Sequence, residues 1–199
     1  MVKIKICGLK RLEDIEIANR YMPDYIGFVF AESKRQVTHD LARKLKANLN
    51  PNIKAVGVFV DADADEILEL YRDEIIDMVQ LHGSESEEFI LNLKEKTNHE
   101  LKVIKAIEMY DGIDITEYDD SKADYLLFDS GKGSGKTFDW NLIRKDLKKE
   151  FFIAGGLTSQ NIKEAIMEFN PYAVDLSSSL EVNGFKDENK IREIMEVIS

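Results

Sequence analysis

Residues that can do acid–base chemistry recur at the ends of short apolar segments. These segment ends carry a thiol, an imidazole and several carboxylates: Cys7, Asp61, His82, Glu108 and Asp129. If the segments are parallel strands of one sheet, their carboxyl ends lie on one rim, where loops build active sites. A purely structural fold has no need for such groups on one rim. The pattern therefore indicates an enzyme that transfers protons.

Two loops of small residues follow the last two apolar segments. Their sequences are GGLTSQN (155–161) and SSSLEVNG (177–184). Small residues leave backbone N–H groups accessible, and barrels hold phosphate with such loops after strands seven and eight. Either loop alone is explained equally well by simple chain reversal, but the pair predicts a phosphate site. The candidate residues for this site are Gly155, Gly156, Ser177 and Ser178.

Cys7 is the only cysteine and the last residue of its apolar segment, VKIKIC. A lone cysteine in such a strand is more often a small buried apolar residue than a reactive one. Strand alternation places Lys5 on the same face as Cys7, and a lysine that points into the barrel needs a carboxylate partner. We interpret Asp175 first as this partner and second as a catalytic group. A nearby cation is expected to lower the thiol pKa from about 8.5, which makes Cys7 a candidate general base.

Asp129 ends the apolar run YLLF, where an unpaired carboxylate is costly unless it reaches the rim. It is either a turn residue or a general acid in an apolar mouth. For His82 a structural role is at least as plausible as a functional one. Glu108 is equally well explained as a solvated side chain.

The elements that position these residues alternate between two patterns. Eight β-branched or aromatic runs predict strands at 2–7, 25–30, 54–60, 77–83, 102–108, 125–130, 151–156 and 173–179. Helical periodicity lies between them, for example at 41–49, 67–75, 162–169 and 191–198, whereas 111–121 predicts only a short or irregular helix. The fold class is α/β, and an open doubly wound sheet competes with a closed barrel. Eight regular units without a dinucleotide fingerprint favour a single parallel eight-stranded (β/α)8 TIM barrel.

Composition narrows the possible partners. The 199 residues carry a net charge of −11, which would repel nucleic acid and anionic membranes and makes local cations important for an anionic substrate. One cysteine allows no intramolecular disulfide, and neither a signal peptide nor a membrane span is recognisable. We therefore expect a cytoplasmic protein, monomer or homodimer, with residues 1–199 forming one domain.

Seven segments together resemble the phosphoribosylanthranilate isomerase family of tryptophan biosynthesis. They are KICG (5–8), GFVFAESKRQV (27–37), VGVFV (56–60), VQLHG (79–83), FDSGKGSGKTFDW (128–140), AGGLTSQNI (154–162) and VDLSSSLEVNGFKD (174–187). The segments occur in the family's order from the first strand almost to the last helix. Indole-glycerol-phosphate synthase and related barrels share the late loops but not KICG together with this arginine and aspartate.

The resemblance implies a barrel of the ribulose-phosphate-binding type that performs an Amadori rearrangement without metal or cofactor. Asp129 would be the general acid that protonates the furanose ring oxygen. Cys7 would be the general base that removes the C2′ proton, and Arg35 would hold the anthranilate carboxylate. Amides around Gly156 and Ser178 would hold the phosphate. The remaining expected substrate contacts are His82, Gly155, Asp175 and Ser177.

Three departures from the family pattern accompany the resemblance. Lys34 stands where the family usually has proline, Ser179 replaces a glycine of the phosphate loop, and Lys132-Gly133 shortens a glycine run. If the replaced glycine needs a positive φ, the phosphate loop must adjust.

Two other functions compete with the isomerase. A broader isomerase that also accepts the aminoaldose of histidine biosynthesis usually has aspartates at the ends of strands one and six, and Cys7 in place of the first argues against it. A phosphate-binding scaffold or sensor would have no use for a thiolate.

Overall fold

A computed structural model describes residues 2–130, 140–143 and 147–198 of the chain. Eight parallel strands follow one another around a closed barrel, and β8 returns to pair with β1. The strands are β1 Lys3–Cys7, β2 Tyr25–Val29, β3 Lys54–Phe59, β4 Met78–Leu81, β5 Lys102–Glu108, β6 Tyr125–Asp129, β7 Phe151–Ile153 and β8 Ala173–Leu176. The predicted (β/α)8 TIM barrel is confirmed, and ring closure excludes the open sheet.

Six α-helices cover the outside of the barrel in the described part of the chain. They are α1 Leu12–Tyr21, α2 His39–Lys46, α3 Ala64–Arg72, α4 Glu87–Lys96, α5 Ile162–Phe169 and α6 Glu188–Ile198. Local signals set their starts: the side chains of Thr38 and Ser86 accept hydrogen bonds from the first-turn amides of α2 and α4. None of these helices is long and apolar enough to cross a membrane.

The segment between β5 and β6 forms only a short 3₁₀ helix, Ile115–Tyr118. The Asp114 carboxylate accepts from the Thr116 amide at 2.9 Å and so offers the backbone a local alternative to an α-helix. This confirms the irregular helix that the sequence predicts here. The described residues between β6 and β7 likewise hold a 3₁₀ helix, Trp140–Leu142.

Six strands end earlier than predicted, β2, β3 and β6 by one residue, β4 by two, and β7 and β8 by three each. β7 stops at Ile153 because Gly155 and Gly156 have φ values of 78° and 66°, which no strand residue adopts. β8 stops at Leu176, and a 3₁₀ helix over Ser178–Leu180 follows it. A small antiparallel ribbon comes next, formed by β9 (Glu181–Val182) and β10 (Phe185–Lys186). The residues that extended the predicted strands therefore belong to the rim loops.

Apolar side chains form two layers. The larger lies between strands and helices and includes fully buried Ile26, Phe28 and Phe128. The smaller fills the barrel interior with Tyr25, Val56, Met78, Ile104, Ala106, Leu127, Phe152, Ala154 and Ala173. At the amino-terminal end, the Tyr172 hydroxyl lies 2.8 Å from both Lys3 Nζ and the Tyr25 hydroxyl. This aromatic cluster lies over the interior layer at the amino-terminal end of the barrel.

An ion pair lies in the middle of the barrel. The Lys5 ammonium group is completely buried and lies 2.7 Å from Asp175 Oδ2 and 2.8 Å from Gln80 Oε1. Burial opposes the charged lysine, but the Asp175 carboxylate and the Cys7 sulfur together outweigh it and raise the Lys5 pKa. The predicted pairing of Lys5 with Asp175 is confirmed, so Lys5 is held beneath the rim.

Removing one partner of this pair should destabilise the fold. In Lys5→Met the Asp175 carboxylate stays buried without its cation, and we expect a loss of about 3–5 kcal/mol in the free energy of unfolding. The double variant Lys5→Met/Asp175→Leu removes both charges and should recover much of that loss. Urea unfolding of the three proteins measures both effects. A Lys5→Met variant as stable as the wild type would contradict the assignment.

Candidate active site

Cys7 and Asp129 end β1 and β6 and therefore lie on the same rim of the barrel. Each is largely buried but keeps a small exposed fraction, 8% for Cys7 and 7% for Asp129. The Asp175 carboxylate on β8 interacts electrostatically with both groups. The rim thus brings together the thiol and the carboxyl group that the sequence singled out.

Gly27 makes the space in which the Cys7 thiol sits. The two residues are register partners on β2 and β1, and a Cβ atom at position 27 would lie 2.6 Å from Cys7 Sγ. No larger residue fits beside this sulfur. A glycine inside a strand of aromatic and β-branched residues is the one sequence signal for this close approach.

The expectation that the Cys7 pKa lies below its ordinary value is wrong for this structure, although Lys5 does act to lower it. Burial raises the pKa of the thiol, the Asp175 carboxylate raises it further, and the cations Lys5 and Lys186 offset this only in part. Lys5 acts on the sulfur through its charge and a side-chain hydrogen bond, but the loss of water on burial is the larger effect. Unliganded Cys7 is therefore a protonated thiol at neutral pH.

His82 follows β4 and lies beside the Asp129 carboxyl group. Its Nε2 atom is 3.5 Å from Asp129 Oδ2, and its Nδ1 atom is 3.0 Å from Gln80 Nε2. The structure therefore places this imidazole at the candidate acid. Glu108, by contrast, is exposed, in agreement with the solvated alternative.

The loop after β7 packs directly on Asp129. A Cβ atom at Gly155 would lie 2.5 Å from Ser130 Oγ and 2.9 Å from Asp129 Oδ1, and its φ of 78° also favours glycine. The Asn161 side chain holds the loop in shape, because it donates to the Gly156 carbonyl at 3.0 Å and accepts from the Thr158 amide at 2.8 Å. The candidate phosphate loop is thus tied to the candidate acid.

The loop after β8 is tied to β1. Ser177 Oγ donates to the Cys7 carbonyl oxygen at 3.1 Å. Ser179 lies within the right-handed 3₁₀ helix Ser178–Leu180, where serine is as acceptable as glycine. The position where the family usually has glycine therefore requires no positive φ in this chain. Lys132-Gly133 lies outside the described residues.

Arg35 already holds a carboxylate of its own chain. Its Nε and Nη2 atoms donate to the two oxygens of Glu181 at 2.6 and 3.0 Å, and Lys186 Nζ donates to Glu181 at 2.9 Å. Although burial opposes ionisation, Arg35 and Lys186 lower the Glu181 pKa to about 2, so this carboxylate stays charged. Within the described residues, the Nη1 end of Arg35 has no hydrogen-bond partner and is the end that can accept a ligand.

Glu181 and Lys186 have no sequence signal of the kind used for the strand ends. They lie in the short ribbon after β8, where neither strand alternation nor helical periodicity applies. Lys186 is nevertheless 4% exposed and donates to the Ser177 carbonyl oxygen at 3.0 Å. It adds a second cation to the rim of an acidic protein.

A second polar network, partly buried at Lys105 and Glu85, supports the loops after β3 and β4. Lys105 Nζ lies 2.9 Å from Glu85 Oε2 and 2.8 Å from the Gly83 carbonyl oxygen. Asp61 accepts from the Ser84 amide at 2.7 Å. Asp61 is therefore a loop-structuring residue, one of the strand-end groups that the structure assigns to architecture.

Comparison with known proteins points to one family. The family model for N-(5′-phosphoribosyl)anthranilate (PRA) isomerase matches residues 4–197. The chain is 47% identical to the N-(5′-phosphoribosyl)anthranilate isomerase of Endomicrobium trichonymphae, with 100% of this chain and 98% of that protein covered. It is 44% identical to the same enzyme of Clostridium acetobutylicum, with 98% and 97% covered.

Solved structures give the same result. Phosphoribosyl anthranilate isomerase of Thermotoga maritima superposes with a TM-score of 0.89 at 35% identity, covering 99% of this chain and 98% of that one. A phosphoribosyl anthranilate isomerase in complex with reduced 1-(o-carboxyphenylamino)-1-deoxyribulose 5-phosphate has a TM-score of 0.86 at 33% identity, with 98% and 97% covered. Since the family model and full-length relatives agree with the barrel and its rim, this chain belongs to the phosphoribosylanthranilate isomerase family.

Proposed function

We propose that the chain catalyses the Amadori rearrangement of N-(5′-phosphoribosyl)anthranilate to 1-(2-carboxyphenylamino)-1-deoxyribulose 5-phosphate in tryptophan biosynthesis. Family membership over the full chain supports the reaction. The observation that carries the assignment of residues is the shared position of Cys7 and Asp129 at the carboxyl-terminal rim of the barrel. The barrel is proposed to act as a single domain in the cytoplasm.

Asp129 is the general acid of the first step. It donates a proton to the furanose ring oxygen, and the bond between C1′ and this oxygen breaks as the anilino nitrogen lone pair forms a Schiff base. Its position at the carboxyl end of β6, on the rim that also carries Cys7, supports this role. The nitrogen of the substrate supplies the electron pair and the ring oxygen takes up the pair of the broken bond, so the step needs only a positioned proton.

Cys7 is the general base of the second step. Its thiolate removes the C2′ proton, the electrons move to the iminium nitrogen, and the resulting enolamine tautomerises to the ketone. Burial keeps the thiolate a minor species, but a thiolate without hydrating water is a strong base once formed. The cations Lys5 and Lys186 favour that form, which supports the assignment of the base to this sulfur.

The two anionic ends of the substrate are assigned to opposite parts of the rim. The Nη1 end of Arg35 takes the anthranilate carboxylate, while Glu181 holds the other edge of the guanidinium in place. Amides of the loops at Gly155-Gly156 and Ser177-Ser178 take the phosphate, since both loops follow neighbouring strands. Asp175 and His82 are assigned to the ribose between these ends.

A broader isomerase that also accepts the aminoaldose phosphate of histidine biosynthesis is the alternative. Its usual pair of aspartates would require a carboxylate at position 7, where this chain has a buried thiol. Turnover of both substrates at comparable kcat/KM would favour this alternative over the specific isomerase.

Freshly prepared N-(5′-phosphoribosyl)anthranilate should lose its fluorescence when the purified protein is added. Cys7→Ser and Asp129→Asn should each lower turnover at least ~100-fold, since each removes a proton-transferring group. Circular dichroism should show both variants folded. Near-normal turnover in either variant would remove that residue from the mechanism, and an inactive wild-type protein would end the proposal.

The Cys7 thiol should titrate above the ordinary value of about 8.5, because burial raises its pKa. With one cysteine in the chain, the thiolate absorbance near 240 nm can be isolated by subtracting the titration of Cys7→Ser. The subtraction also removes the contribution of ionising tyrosines. A midpoint near neutrality would show that the cations dominate over burial.

Arg35→Ala should raise KM roughly 10–100-fold, the effect of losing a charge-assisted hydrogen bond, with a smaller effect on kcat. Glu181→Gln should raise KM less, because one hydrogen bond still orients the guanidinium. Arg43→Ala is the matched control, since Arg43 is an exposed arginine on α2 paired with Asp73. Steady-state kinetics on the wild type and these three variants measures KM and kcat for each. An unchanged KM in Arg35→Ala would place the substrate carboxylate elsewhere.

A further inference from the structure

A chain of polar side chains joins the buried ion pair to the rim. Lys5 Nζ donates to Gln80 Oε1 at 2.8 Å, and Gln80 Nε2 lies 3.0 Å from His82 Nδ1. His82 Nε2 in turn lies 3.5 Å from Asp129 Oδ2. Gln80 is 2% exposed, so its amide is enclosed by protein on both sides. The mechanism proposed above gives this glutamine no role.

The hydrogen-bond donors in this series of side chains fix the direction of each hydrogen bond. An ammonium group has donors only, so the Gln80 atom that faces Lys5 must be the carbonyl oxygen. The Gln80 NH₂ group is then forced to face His82, where Nδ1 must accept its hydrogen bond. In a neutral imidazole one nitrogen carries the proton, which places it on Nε2, the atom nearest Asp129.

We propose that Gln80 is a positioning residue that holds His82 in the Nε2–H form, so that His82 donates to Oδ2 of Asp129. This inference deepens the proposed function and depends on Asp129 being its general acid. With this N–H group facing Oδ2, the acidic proton of Asp129 is carried on Oδ1, the oxygen beside Gly155. After proton transfer, the same N–H group stabilises the Asp129 carboxylate.

The opposite tautomer would disturb this arrangement. With Nδ1 protonated, two N–H donors would face each other between Gln80 and His82. The bare Nε2 atom would then accept the proton of Asp129 on Oδ2, on the side away from Gly155. Lys5 and Asp175 therefore act on the rim through Gln80, and not only as a structural ion pair.

The ¹⁵N NMR shifts of the imidazole nitrogens test the tautomer directly. At about pH 8.5, two units above the ordinary imidazole pKa of about 6.5, we expect His82 to show a protonated Nε2 and an unprotonated Nδ1. The chain has three histidines, and a His82→Asn variant identifies the His82 signals. A protonated Nδ1 in the wild-type protein would overturn the inference, whatever the protein's activity.

Two variants link the tautomer to catalysis. Gln80→Leu should give mixed His82 tautomers. It should lower kcat about tenfold, the effect of losing one hydrogen bond, and leave KM within about twofold of the wild-type value. Gln80→Glu, which can still accept from Lys5 but also accepts from Nδ1, should protonate Nδ1. This second variant decides the question if Gln80→Leu does not fold. Wild-type kcat in a folded variant with an altered tautomer would overturn the positioning role.

Thr97→Val is the matched control, because it removes a buried hydrogen bond at the end of α4. It should lower stability without moving the His82 signals or kcat. A change in the His82 tautomer in this control would show that any loss of packing reaches the rim and would overturn the specific role of Gln80. A protein with the expected tautomer but no isomerase activity would instead reject the proposed function.

Discussion

The buried contact between Lys5 and Asp175 is the constraint around which the rim is organised. It joins the first and last strands at the seam where the barrel closes, so the charge pair and the ring closure occur at one place. A charged pair in a barrel interior needs further hydrogen bonds to be tolerated. Gln80 supplies one of them from the opposite side, and the network spans the barrel.

The lysine lowers the pKa of the neighbouring sulfur but does not bring it below its ordinary value. Loss of water on burial is the largest effect on the thiol and raises its pKa, and the Asp175 carboxylate raises it further. The charges of Lys5 and Lys186 offset this only in part. The same protein shows the reverse balance at Glu181, where two cations outweigh burial and keep the carboxylate ionised.

Much of the architecture was predictable because its determinants are local and repeated. Alternation and helical periodicity revealed eight strands and the outer helices, and Lys5 in an apolar strand predicted Asp175 as its partner. Gln80 carried the same signal, a polar residue within an apolar strand, but its role depends on what lies across the barrel. Glu181 and Lys186 could not be found in this way, since a two-residue ribbon has no periodicity.

The pKa of Cys7 could not be predicted from neighbours along the chain either. The direction of its shift depends on whether burial or the nearby cations have the larger effect, and both effects depend on distances between strands. Gly27 shows the same limit from another side: the glycine is visible in the sequence, but the sulfur that fills its missing side chain belongs to a different strand.

The tyrosine cluster at the amino-terminal end has a consequence for how this barrel can change. Tyr25, Tyr125 and Tyr172 meet at their hydroxyl groups on the side of the molecule opposite the chemistry. The tyrosine cluster and the candidate active site therefore lie at opposite ends of the barrel. Substitutions at the carboxyl-terminal rim can alter what is bound there without disturbing the contacts of the tyrosine cluster.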